Sequence, residues 1–146
     1  MDKPKLISGN YHFDNRGSLF YFNQLSLSLY KRFYDVENYQ NNFIRAWHGH
    51  KRESKLLILR KGAALVGVVK INDWAKPSKK NKVYKFYLDE RSPQAVFIPK
   101  GYANGFMNLK PDTLLTFYSD KTLKESSNDD FRYKYDYWDI WQIDKR

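Results

Sequence analysis

The chain has 146 residues, 42% of them hydrophobic and 18% aromatic, and 26 Lys and Arg against 16 Asp and Glu give a net charge of +10 at pH 7. That length suits one domain, residues 1–146, with a single real core. The absence of cysteine excludes a disulfide framework and thiolate chemistry. The absence of a long apolar run, together with the polar opening Met1-Asp2-Lys3-Pro4, predicts a cytoplasmic protein with no membrane partner.

The positive charge favours an anionic partner: nucleic acid, an anionic membrane surface or a phosphorylated small molecule. The densest run, Lys79-Lys80-Asn81-Lys82, follows Pro77-Ser78 and reads as an exposed loop tip. The other basic residues are scattered, with no RGG segment, zinc knuckle or basic helix, so no nucleic-acid partner is expected.

In chain order, residues 6–22 alternate around Asp14-Asn15-Arg16-Gly17, which predicts a β-hairpin with Arg16 as a solvated residue at its tip. The next stretch places Leu25, Leu27 and Leu29 on one face and Ser26 and Ser28 on the other, a strand period that predicts a strand continuing through Phe33 and Tyr34. Glu37 to Asn42 is a polar loop, and Phe43 to His48 resumes a strand. Leu56–Arg60 and Ala63–Ile71 are apolar at nearly every position, the mark of strands covered on both faces, and read as a hairpin about Lys61-Gly62. Strands are predicted again at 82–88, 95–98, 102–109 and 114–118. Residues 123–129 are the one candidate for a helical turn. In the tail, Phe131, Tyr133, Tyr135 and Tyr137 share a face expected to pack across a barrel mouth or a subunit boundary. The aromatic load and the many short strands predict an all-β sandwich or barrel.

The chemistry concentrates between Arg45 and Gly62. On an extended strand His48 and His50 point the same way, with Lys55 a short turn beyond. Two imidazoles and an ammonium can move protons; two polar residues facing water are an equally good reading of the composition. Arg45 is three residues from His48, so a regular strand sends the two to opposite faces, and a shared site requires a bulge between them.

Read in order, Asp14-Asn15-Arg16-Gly17, Arg45-Ala46-Trp47-His48, Lys55, Gly62 and Ile98-Pro99-Lys100-Gly101-Tyr102-Ala103-Asn104-Gly105-Phe106 resemble the dTDP-4-dehydrorhamnose 3,5-epimerase family. The resemblance implies a double-stranded β-helix (cupin, jelly-roll) homodimer that epimerises carbon 3, carbon 5 or both of a nucleotide-diphosphate 4-keto-6-deoxysugar in surface-polysaccharide synthesis. It implies His48 as the general base, Lys55 as the cation at the enolate oxygen, and Arg16 and Arg45 on the diphosphate and neighbouring sugar atoms. These types suit the roles: imidazole titrates near working pH, a cation stabilises developing negative charge, and guanidinium matches phosphate.

The sequence departs from the family in three places. The family's tyrosine acid aligns with Phe117, and a one-residue shift brings Tyr118 there. Asn104 replaces a histidine, and keeps hydrogen bonding without proton transfer. The family's C-terminal aspartate, which pairs with the catalytic histidine, finds no counterpart before Arg146.

His48-Gly49-His50-Lys51 is also similar to the histidine pair of the dTDP-sugar 3,4-ketoisomerases, which implies His50 as a second catalytic group. A non-catalytic cupin that binds a sugar nucleotide, a carbohydrate or a partner protein is the remaining alternative. Cupin metal sites use His-x-His, a glutamate and a later histidine; here Glu53 lies too close to His50 in sequence and Asn stands for the last histidine. A metal-free site without cofactor is expected.

Overall fold

Residues 2–145 are described by the computed structural model, and among them there are strands and turns but no helix. The strands in chain order are β1 (Lys5–Ser8), β2 (Asn10–Asp14), β3 (Gly17–Tyr21), β4 (Arg32–Glu37), β5 (Ile44–His50), β6 (Lys55–Lys61), β7 (Ala63–Lys70), β8 (Val83–Asp89), β9 (Gln94–Ile98), β10 (Tyr102–Asn108), β11 (Leu114–Ser119) and β12 (Phe131–Arg132). One five-stranded sheet is ordered β1-β9-β6-β11-β4 and the other β12-β5-β10-β7-β8, all pairs antiparallel, and β2-β3 stands apart as a hairpin. This is the expected jelly roll: from β4 to β12 the chain alternates between two facing sheets, except for the β7-β8 hairpin within the second. No helix among the described residues is long and apolar enough to cross a membrane.

Strand alternation decides what fills the space between the sheets. Leu57 and Leu59 of β6 and Leu115 and Phe117 of β11 point inward, meeting Val66 and Val68 of β7 and Phe106 of β10. Each such buried side chain contributes about 1.5–3 kcal/mol of hydrophobic stabilisation. The intervening residues Leu56 and Ile58 point outward and pack with Phe20, Phe22 and Tyr30.

Several sequence expectations are corrected. Leu56–Arg60 and Ala63–Ile71 are not a hairpin, because β6 belongs to the first sheet and β7 to the second. The chain turns the corner at Gly62, whose φ is 88° and where a Cβ would lie 2.2 Å from Thr113 Oγ1. Being covered on both faces is equally true of strands in separate sheets, and so the apolar runs did not discriminate.

Residues 25–29 are not a strand. Ser28 N–H donates to Ser26 Oγ and Tyr30 N–H to the Leu27 carbonyl, so local bonds replace a ladder and the strand begins only at Arg32. Residues 123–128 form successive turns.

Within the tail Phe131–Arg132 pairs with β5, Tyr133 exchanges both backbone hydrogen bonds with Trp47, and the rest folds over the outer side of the second sheet. Trp138 and Trp141 are buried there against Trp47, while Tyr135 is exposed. The tail therefore covers a sheet face, and its Tyr side chains do not form a single buried stripe.

Candidate active site

The two sheets splay at one end to leave a cavity of about 510 Å³. One wall is β5 and β10, which supply Arg45, His48, His50, Asn104 and Phe106; the other is β4, β6 and β11, which supply Arg32, Tyr34, Lys55 and Phe117. The rim comes from the segment after β11, through Leu123, Ser126, Asp130 and Arg132. His48 and His50 share a face, as the two-residue period predicts.

Arg45 joins them through the required irregularity. Asn104 pairs with His48 but Phe106 pairs with Arg45, so three residues of β5 are spanned by two of β10. This bulge brings Arg45 to the edge of the cavity, and its Nε donates to Asn38 Oδ1 at 2.6 Å. Trp47, inside the bulge, points away into the second core. Asn104 spends an amide N–H on the His48 carbonyl at 3.3 Å, and so helps to hold the β5 backbone.

His50 is fixed in one tautomer. Its Nδ1 lies 2.5 Å from the backbone carbonyl of Asp129, and a carbonyl can only accept, so Nδ1 carries the proton. The lone pair of the neutral ring is then on Nε2, which is buried without a hydrogen-bond partner. Burial, followed by the nearby Lys55 cation, pushes the His50 pKa down, against the opposing pull of the Asp129 carbonyl and Glu53.

His48 is more open, with Nδ1 3.9 Å from Asp130 Oδ1. Its pKa is also lowered, first by burial and then by the Arg132 cation, with Asp130 opposing. Both imidazoles are thus neutral and able to accept a proton near pH 7.

On the facing wall, Lys55 is buried and donates from Nζ to the Tyr34 hydroxyl at 2.8 Å. Tyr34 pairs in register with Phe117 across β4 and β11. Tyr118 is not brought to the cavity. It points to the outer face and packs at 6.2 Å from Tyr30 and 5.9 Å from Phe33, because a one-residue shift along a strand reverses the side chain. Arg16 is not brought there within the chain either: it is exposed at the hairpin tip and donates to Asp14 Oδ2 at 2.6 Å.

Sequence reasoning missed Tyr34, Arg32, Asp130 and Arg132. The alternation in Arg32-Phe33-Tyr34-Asp35-Val36 was a usable signal for Arg32 and Tyr34 sharing a face. Asp130 had none; it comes beside His48 because β12 pairs with β5.

His50, Glu53 and Asp129 offer ligand atoms within 4.8 Å of one another. Most of their donor atoms are already committed. The Asp129 carboxylate accepts the backbone N–H groups of Lys51, Arg52 and Glu53 at 2.7, 3.0 and 3.1 Å. Glu53 Oε2 accepts from Arg32 at 3.2 Å and from Ser119 Oγ at 2.5 Å. A divalent cation here would face a guanidinium and a protonated nitrogen, so the set does not fit one.

The sequence profile of the family described as dTDP-4-dehydrorhamnose 3,5-epimerase matches residues 3–142. No curated protein matches the chain. Among solved structures, the dTDP-4-dehydrorhamnose 3,5-epimerase from Bacillus anthracis, with TDP and PPi bound, superposes with a TM-score of 0.72 at 21% identity, covering 87% of this chain and 76% of that one. The TDP-quinovose 3,4-ketoisomerase from Campylobacter jejuni superposes with a TM-score of 0.66 at 22% identity, covering 94% and 98%. The Mycobacterium tuberculosis epimerase gives a TM-score of 0.67 at 16% identity and covers 82% of this chain, which spans only 64% of that protein's length. At these identities the superpositions establish the shared fold.

Proposed function

Because the chain belongs to the dTDP-4-dehydrorhamnose 3,5-epimerase family, we propose that it epimerises a dTDP-linked 4-keto-6-deoxysugar at a carbon next to the ketone. The observation that carries this reading is the placement of proton-transfer groups on opposing walls. His48 lies on β5, Lys55 and Tyr34 lie on β6 and β4 across the cavity, and Lys55 is bonded to Tyr34. Inverting a carbon requires a proton to leave one face and return to the other, and facing sheets put a base and an acid on those two faces.

In the proposed reaction His48 takes the proton from the carbon, and the C–H electron pair moves to the ketone oxygen as the enolate forms. Lys55 stabilises that oxygen as a cation. As the enolate electron pair returns to the carbon, the Tyr34 hydroxyl gives it a proton from the opposite side and is recharged by the Lys55 ammonium. The proton taken from the substrate leaves to solvent, from which Lys55 regains one. This assigns to Tyr34 the role that alignment offered to Tyr118. Arg45 and Asn104 line the same cavity and are proposed to hold substrate oxygens. No metal or cofactor takes part.

Arg16 can meet substrate only across a subunit boundary, which joins it to a proposed homodimer. Exposed apolar side chains on the hairpin (Phe13, Leu19), on the segment before β4 (Leu29) and on the outer side of β4 (Phe33) support such a contact. A cytoplasmic location, with neither nucleic acid nor membrane as partner, goes with the same reading, since nucleotide-linked sugars are substrates of that compartment.

A second reading has its own support. His48 and His50 lie on the same wall, an arrangement suited to carrying a proton between neighbouring carbons on one face, as a 3,4-ketoisomerase requires. Incubation with dTDP-4-keto-6-deoxyglucose in D₂O separates the two. Deuterium at carbon 3 or 5 with inverted configuration supports the epimerase, and a carbonyl moved to carbon 3 supports the ketoisomerase. Binding of the sugar nucleotide with no exchange would leave a non-catalytic cupin.

A further inference from the structure

Glu53 carries a carboxylate whose side chain is only 1% exposed, in a position that the reaction above does not use. Burying a carboxylate costs several kcal/mol unless its oxygens are matched. One oxygen is matched twice: Arg32 and Ser119 both donate to Oε2. The other, Oε1, is turned to His50 Nδ1 at 3.5 Å.

Three constraints converge on the same ring. The Asp129 carbonyl holds the proton on Nδ1, Glu53 stands on that same side, and Nε2 is left buried and unpartnered. The charged and titratable groups around His50 are His48 on its own strand, Lys55 on β6, Glu53 and Asp129 in the adjoining loops, and Arg32 behind Glu53 on β4. When Nε2 accepts a proton the ring becomes a cation beside Lys55. Asp129 spends its carboxylate on three backbone N–H groups, which leaves Glu53 Oε1 as the anion aimed at the ring.

We propose that Glu53 is a positioning residue: clamped by Arg32 and Ser119, it stabilises the imidazolium of His50 and so makes His50 Nε2 a second proton carrier beside His48. This rests on the reaction proposed above. In that step the C–H bond breaks, the electron pair passes to the enolate and His48 takes the proton, which then passes to His50 Nε2 and leaves His48 neutral. Nδ1 keeps its own proton on the Asp129 carbonyl, and the Nε2 proton leaves to solvent at the end of the turnover.

The test begins without substrate, by NMR of histidine-labelled protein. The expected state of free His50 is the Nδ1–H tautomer. In Glu53→Gln, which keeps the shape and removes the charge, the His50 titration should move to lower pH by about one pH unit. Ser119→Ala should move it the same way by less. With substrate, Glu53→Gln should lower kcat for deuterium exchange about tenfold at nearly unchanged KM, and Glu53→Asp should recover part of the loss. If Glu53→Gln fails to fold, Glu53→Asp and Ser119→Ala carry the titration. An unmoved His50 titration in folded variants, or a change confined to KM, overturns the proposal. If the wild-type protein exchanges no proton of any 4-keto sugar, the proposed reaction falls, while the titration still decides whether Glu53 supports the charge on His50.

Discussion

Tyr34 lies flat against Phe117, with ring centroids 5.2 Å apart and planes 8° from parallel, and its hydroxyl accepts from Lys55. Phe117, which the family resemblance aligns with a tyrosine acid, has no hydroxyl, and in the proposed reaction Tyr34 on the neighbouring strand supplies one. Tyr34→Phe should therefore reduce epimer formation about a hundredfold while leaving exchange at the first carbon within about tenfold of wild type. Tyr118→Phe should change neither, since its ring is on the outer face. The measurement is deuterium incorporation alongside product stereochemistry. A large loss in Tyr118→Phe with none in Tyr34→Phe would reverse the assignment.

His48→Asn should remove deuterium exchange by at least about a hundredfold, because an amide keeps the shape but cannot take the proton. Lys55→Met should slow exchange by about a hundredfold through loss of the cation at the enolate oxygen. Substrate binding, read by calorimetry, should survive the first change. Exchange that persists in His48→Asn would move the base to another residue.

The pH dependence follows from the lowered pKa values of both histidines. A base acts while neutral, so activity should hold as pH falls past the ordinary histidine value of about 6.5 and decline only below it. Arg132→Gln removes a cation that disfavours the His48 imidazolium, and also frees Asp130, which favours it. Both effects raise the His48 pKa, so the acid limb of the rate profile should move to higher pH. A shift to lower pH would contradict the electrostatic account.

Asp129 ties the loop after β5 through three backbone N–H bonds from Lys51, Arg52 and Glu53. Asp129→Ala leaves those donors without their acceptor and should cost about 3 kcal/mol of stability. For a domain of this size that is a fall in Tm of about 10 °C. Scanning calorimetry checks it, and a fall below about 2 °C would show that water replaces the carboxylate at little cost.

Light scattering should find a dimer at micromolar concentration. If Arg16 acts across the boundary, mixing inactive Arg16→Ala with inactive His48→Asn should restore activity, because some mixed dimers then hold one intact cavity. No recovery from verified mixed dimers would return Arg16 to the role of a solvated turn residue.

Periodicity and residue type settled much of this protein before any coordinates. The two-residue period put His48 and His50 on one face, the apolar runs marked the inner strands, and Asp14 to Gly17 marked the hairpin turn, because these depend on neighbours in sequence. The three-residue gap between Arg45 and His48 even announced the bulge. What sequence could not decide was pairing between distant strands. Whether β6 and β7 share a sheet, whether Tyr34 or Tyr118 faces the cavity, and whether Asp130 reaches His48 all depend on contacts made across 50 to 90 residues or on a strand's register. A one-residue choice of register turns every side chain to the other face, and only closing the jelly roll fixes that choice, by requiring Leu57, Leu115 and Phe117 to be buried together. Glu53 belongs to the same class: in the sequence it is one charge among many, and the fold makes it a buried anion by bringing Arg32, Ser119 and His50 around it.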